Sequence, residues 1–263
     1  MPPHPDRLAL TIDYAFKKFF VTNPGLLLHF LNTVLATTGH PEIVELHVQN
    51  PDLPGPSIED KKAVLDILAR DNQGRIANVE MQAFRTPAFT NRAALYAFRL
   101  YSSGLAPGAD HGDAPPIFSI NLLDFVYFPG HTQHRCFRLL DIREPAVEMD
   151  VGMEFHFLEL PKLKRTAPDS DNLLDTWLEF IGRAPELTED EMEKLVEKDP
   201  IFTEAARALD ELSMDSQTRL EYDKRQIAIH FYELNLRKER EAGLAEGNEI
   251  GEARGRAAGL EEG

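Results

Sequence analysis

Two carboxylates within residues 61–82 stand where they could do chemistry. The segment Lys61-Lys62-Ala63-Val64-Leu65-Asp66-Ile67-Leu68-Ala69-Arg70-Asp71-Asn72-Gln73-Gly74-Arg75-Ile76-Ala77-Asn78-Val79-Glu80-Met81-Gln82 places two apolar runs either side of a turn sequence. Each run carries one acid, Asp66 and Glu80, where a buried strand favours an apolar side chain. A three-residue loop from Asn72 to Gly74, with Gly74 in the left-handed conformation, makes the segment a hairpin. Position 71 then pairs with 75, and Asp66 falls directly opposite Glu80. Side chains alternate along a strand, so Asn78 and Gln82 share the face of Glu80. Like charges directly opposite destabilise a sheet, and a divalent cation is the simplest way to offset that cost. Two hard oxygen donors on neighbouring strands suit Mg²⁺ or Mn²⁺. The plain alternative is a pair of solvated acids on the outer face of a sheet.

The surrounding pattern supplies the elements that would hold such a hairpin. Ile12, Ala15, Phe16, Phe19 and Phe20 recur at helical spacing. Asn23-Pro24 opens a second helix, with Asn23 as cap, Pro24 at its first position and Leu26 to Leu35 as its apolar run. Ile43 to Val48 reads as a strand, and residues 50–57 are a turn-rich connection. Residues 90–105 fit a helix with Ala94, Leu95, Phe98 and Tyr101 as its stripe. Residues 117–126 form a strongly apolar strand, with further strands near 136–142 and 152–160. This order predicts an α/β fold with a central mixed sheet. The compact unit is expected to cover 1–165, followed by a helical accessory region over 166–240 that contains Trp177, Phe180 and Phe231. In the tail, 241–263, glycines stand at 243, 247, 251, 255, 259 and 263. Both a disordered tail and a helix that forms on self-association fit that pattern.

Composition sets the frame. The chain has 263 residues and is 43% apolar, enough for a packed core. Its single cysteine, Cys136, rules out an intramolecular disulfide framework and fits a reducing compartment. His131, His134 and Cys136 match no good zinc spacing and read as ordinary loop and strand. No 18-residue apolar run predicts a membrane span and no secretory signal is evident, so the cytoplasm is expected. The net charge of −16 argues against a generic nucleic-acid binder. The acidity is uneven, however: residues 1–165 carry a net −3 and residues 166–263 a net −13. The N-terminal region can therefore still form a local basic groove.

Several pieces, taken in order, resemble the PD-(D/E)XK nuclease family transposases, the recombination-promoting nuclease group. They are Asp13-Tyr14-Ala15-Phe16-Lys17-Lys18-Phe19-Phe20, then Phe30-Leu31-Asn32, Leu65-Asp66-Ile67 and Asn78-Val79-Glu80-Met81-Gln82. Arg92, Tyr96 and Tyr101 follow, then residues 116–125. The resemblance covers roughly residues 10–160 and extends loosely to 240. It implies a restriction-endonuclease-like core and Mg²⁺-dependent cleavage of a DNA phosphodiester, with Mn²⁺ as a substitute. Asp66 and Glu80 become the metal ligands, joined by a Met81 carbonyl. Gln82 contacts the attacking water or the phosphate, and Asp13 joins the active site or a second metal.

The sequence departs from the broad pattern at 82, where the wider superfamily carries lysine. Glutamine is usual within this group, but it removes one cation from the site. Lys62, on the parity of Asp66, is a candidate replacement. Lys17 and Arg92 are candidate phosphate contacts, set against ordinary surface or packing roles, and Asp13 also suits a helix first turn. The favoured function is a DNA endonuclease acting on double strands, with a homodimer expected because double-strand cleavage needs two cuts. A catalytically inactive DNA-binding or assembly protein on the same fold, and a nuclease acting on RNA or single-stranded DNA, remain open.

Overall fold

The computed structural model describes residues 7–49, 67–86, 88–163 and 172–261. Its elements are α1 (Asp13–Thr22), α2 (Pro24–Ala36), β1 (Leu46–Val48), β2 (Ile67–Asp71), β3 (Ile76–Gln82), α3 (Phe89–Gly104), β4 (Ile117–Leu123), β5 (His134–Phe137), β6 (Met153–Glu159), α4 (Leu173–Arg183), α5 (Glu189–Lys198), α6 (Ile201–Met214) and α7 (Ser216–Glu261). The strands form one mixed sheet in the order β1-β2-β3-β4-β6-β5. β1, β2 and β3 are antiparallel; β4 and then β6 add in parallel; β5 returns antiparallel at the far edge. The expected α/β fold with flanking helices is what the chain adopts.

The β2–β3 hairpin is built by its turn residues. Gly74 has φ +85°, a conformation that favours glycine. Asp71 N–H donates to the Arg75 carbonyl, and Gly74 N–H to the Asp71 carbonyl. The Asp71 carboxylate accepts the Gln73 and Arg75 amides, each at 2.9 Å, and pairs with the Arg75 guanidinium. Ile67 lies opposite Val79 and Arg70 opposite Ile76. This is the register that a loop from 72 to 74 demands. Asp66 and Lys62 lie outside the described residues.

The two faces of the sheet are buried differently. Val79, Met81, Ile120, Leu122 and Leu158 pack on α1 and α2 in the main core. Ile76, Ile117 and Met153 form a smaller cluster with Ala97 of α3. The α3 stripe differs from the expected one: Phe89, Ala93 and Ala97 are buried, whereas Leu95 and Phe98 are half exposed. The small alanines let the helix lie close to the sheet, and larger side chains at those positions would hold it off. Asn23 also departs from expectation, since its amide donates back to the Phe19 carbonyl instead of capping α2.

The boundary near 165 does not separate two cores. Trp177 of α4 packs on Phe20, Phe30 and Phe202, and its indole N–H donates to His29 Nδ1 at 3.0 Å. Leu195, Leu209 and Tyr222 belong to the same cluster. The glycine-rich tail is helical as part of α7, through Glu261. A Cβ built at Gly243, Gly247 or Gly251 would meet no atom within 4 Å. No single helix among the described residues is long and apolar enough to cross a membrane.

Candidate active site

β3 presents Asn78, Glu80 and Gln82 on one face, as strand alternation requires. Their side chains are joined: Asn78 Nδ2 donates to Glu80 Oε1 at 3.0 Å, and Gln82 Nε2 approaches Glu80 Oε2 at 3.4 Å. α3 closes the group from above. Arg92, one turn into that helix, donates from Nη2 to Gln82 Oε1 at 2.6 Å. This bond orients the Gln82 amide so that its NH₂ faces the carboxylate.

Glu80 is buried. Burial holds its carboxyl above the usual carboxylate range, while the Asn78 hydrogen bond and the Arg92 charge act in the opposite direction. β4 runs parallel beside β3, with Ser119 level with Asn78 and Asn121 level with Glu80. Asn121 Nδ2 donates to Ser119 and to the His156 carbonyl. The carbonyl oxygens of Asn78 and Asn121 are both buried and find no donor among the described residues. Glu80, Asn78 and Asn121 thus lie on one face of two neighbouring strands and carry oxygen donors of the kind that suits a divalent cation such as Mg²⁺ or Mn²⁺.

The other expected site residues are placed differently. Asp13 forms a two-toothed ion pair with Arg225 of α7 and accepts the Tyr14 amide. It is committed to holding α7 against α1. Lys17 is fully buried on α1, so the surface phosphate contact expected of it is not what the structure shows. Lys18 reaches Asp215 and Thr218 at the start of α7. Arg92 is brought to the site, where it holds Gln82.

Asp124 was not singled out from the sequence. Its amide donates to the Gln82 carbonyl at 3.0 Å, so it caps the same end of the sheet. It lines a cavity of about 530 Å³ with Thr11, Leu160, Leu178 and Arg183. Desolvation pushes its carboxyl up to about 6, with Glu233 adding repulsion against a Thr11 hydrogen bond. One acid after an apolar strand carries no sequence signal, because its neighbours come from residues 11 and 233.

The strand order, the hairpin with Glu80 two residues before Gln82, and the helix crossing to a parallel strand together form the restriction-endonuclease-like arrangement. A family model described as PD-(D/E)XK nuclease family transposase matches residues 10–238. The chain belongs to this family. The match runs through α4, α5, α6 and into α7, in keeping with their place in the shared core. Membership assigns a nuclease-type, transposase-associated function in general terms and implies a nucleic-acid substrate. PD-(D/E)XK nucleases typically use divalent metals. No curated protein and no solved structure matches the chain.

Proposed function

We propose that this protein is a Mg²⁺-dependent endonuclease that hydrolyses DNA phosphodiester bonds, with Mn²⁺ able to substitute. The observation that carries this reading is the buried Glu80 carboxyl group on the same sheet face as the unmatched side-chain oxygens of Asn78 and Asn121. Glu80 would hold the ion, with Asp66, which lies outside the described residues, as the expected second ligand. When bound, such an ion polarises a phosphoryl oxygen and acidifies water. Gln82, fixed by Arg92, directs its amide toward the reacting centre. The Arg92 guanidinium supplies a positive charge beside a position where the wider superfamily has lysine. Substrate is taken to be double-stranded DNA, and a homodimer presents one site to each strand.

The test is cleavage of supercoiled plasmid in Mg²⁺, Mn²⁺ and EDTA, with Asp66→Ala and Glu80→Ala as controls. Cutting that needs metal and disappears in both folded variants is expected. Equal cutting by all three proteins would sink the assignment. Labelled RNA and single-stranded DNA, run in parallel, settle the substrate class. A second reading, a DNA-binding or assembly protein without catalysis, is favoured by Gln82 in place of lysine. It predicts DNA retention that is indifferent to Glu80→Ala. Molar mass before and after removal of residues 243–263 tests the dimer and the part the tail plays in it.

A further inference from the structure

A second cluster lies across the sheet from Glu80, at the β5–β6 edge. Glu154 and His156 are buried on β6, and Cys136 on β5 stands directly opposite His156. Cys136 Sγ lies 3.8 Å from Glu154 Oε2 and 3.9 Å from His156 Nε2. His156 Nε2 lies 2.9 Å from the same carboxylate oxygen. A tetrahedral zinc ion, with bonds of about 2.3 Å to sulfur and about 2.0 Å to nitrogen or oxygen, separates its ligands by roughly 3.3–3.6 Å. The three atoms therefore need to move by only a few tenths of an ångström to share one ion.

The surroundings support that use. His134 Nε2 lies 3.0 Å from His156 Nδ1, and the two rings stack. It can accept a hydrogen bond from His156 Nδ1–H, the tautomer that leaves the Nε2 lone pair for a metal, the supporting role common around metal-binding histidines. The other carboxylate oxygen, Glu154 Oε1, is held by His40 Nε2 and Arg138 Nε, each at 2.8 Å. Thr38 Oγ1 donates to Oε2 at 3.1 Å. These contacts hold the Glu154 side chain in place beside Cys136 and His156.

We propose that Cys136, Glu154 and His156 form a zinc site, with water in the fourth position, that pins the edge strand β5 to β6. A sulfur, nitrogen and oxygen donor set selects zinc over Mg²⁺, which separates this site from the oxygen-only set around Glu80. Binding releases the Cys136 thiol proton to solvent. The site needs nothing from the hairpin and stands whether or not the protein cuts DNA.

The test is titration of the metal-free full-length protein with Co²⁺, followed by Zn²⁺. The chain has one cysteine, so a thiolate-to-cobalt charge-transfer band reports Cys136 alone. The expected result is a band that saturates at about one equivalent, is bleached by about one equivalent of Zn²⁺, is absent in Cys136→Ser and is retained in Glu80→Gln. Zn²⁺ should also raise the melting temperature of wild type and not of Cys136→Ser. A wild-type protein without the band, or a band that Zn²⁺ fails to displace, would overturn the proposal and leave a closed hydrogen-bond chain of His134, His156 and Glu154.

Discussion

Glu80 is held in an environment that opposes its charge, and this has a measurable consequence. Its carboxyl titrates above the unfolded value in the native state, so the folded protein binds that proton more tightly. Native stability from this group is therefore greatest below the unfolded pKa and falls as pH rises through the folded one. Glu80→Gln should melt higher than wild type at pH 8 in EDTA and lose all metal-dependent cleavage. A variant that melts lower would show that the buried charge is already compensated without metal. Asp124 obeys the same sign. Its carboxyl moves from 3.8 to about 6 on folding, so Asp124→Asn should match wild type near pH 4 and gain a stability advantage that opens between pH 4 and 6. Melting curves across that range check it. The shared face of Glu80 and Gln82 was legible because two-residue spacing on a strand fixes it. Arg92 was legible only as a residue on the right helix; its bond to Gln82 depends on where α3 lands.

At the scale of elements, local chemistry and tertiary packing divide the work. The turn at 71–75 follows from Asp71 and Gly74 alone, and its register came out as read. α5 is similarly local: Thr188 and Glu191 form a reciprocal capping box, and Arg183 adds an ion pair to Glu191. Thr188→Ala should cost about 1 kcal/mol in denaturant unfolding. The same contacts, led by the Thr188 amide, lower Glu191 to about 2. Its stabilising share is present above pH 4.5 and is lost as pH falls toward 2. The α3 stripe shows the limit of such reading. Periodicity identified the helix but chose its larger apolar residues for burial, whereas the sheet accepted Ala93 and Ala97.

For the whole molecule, the helices after residue 172 are part of the core and not an appendage. Trp177 is fully buried among Phe20, Phe30, Phe180 and Phe202. Trp177→Ala should cost about 3–5 kcal/mol by leaving a cavity that its neighbours cannot close. A loss well under 1 kcal/mol, measured by chemical denaturation, would show that the C-terminal helices fold apart from the sheet. The Asp13–Arg225 ion pair and the contact of Phe84 with Tyr232 extend the same coupling to α7. The sequence by itself determined the α/β class, the hairpin and its register, the shared face of Glu80 and Gln82, and the family resemblance. All of these rest on interactions between residues near in the chain or on motifs in order. Tertiary structure alone decided that Asp13 faces Arg225, that Lys17 is buried and that Arg92 reaches Gln82. It also decided that Cys136 meets Glu154 and His156. Spacing along the chain around Cys136 gave no metal pattern, because its partners lie on a different strand and distances across a sheet are set by register, not by sequence separation.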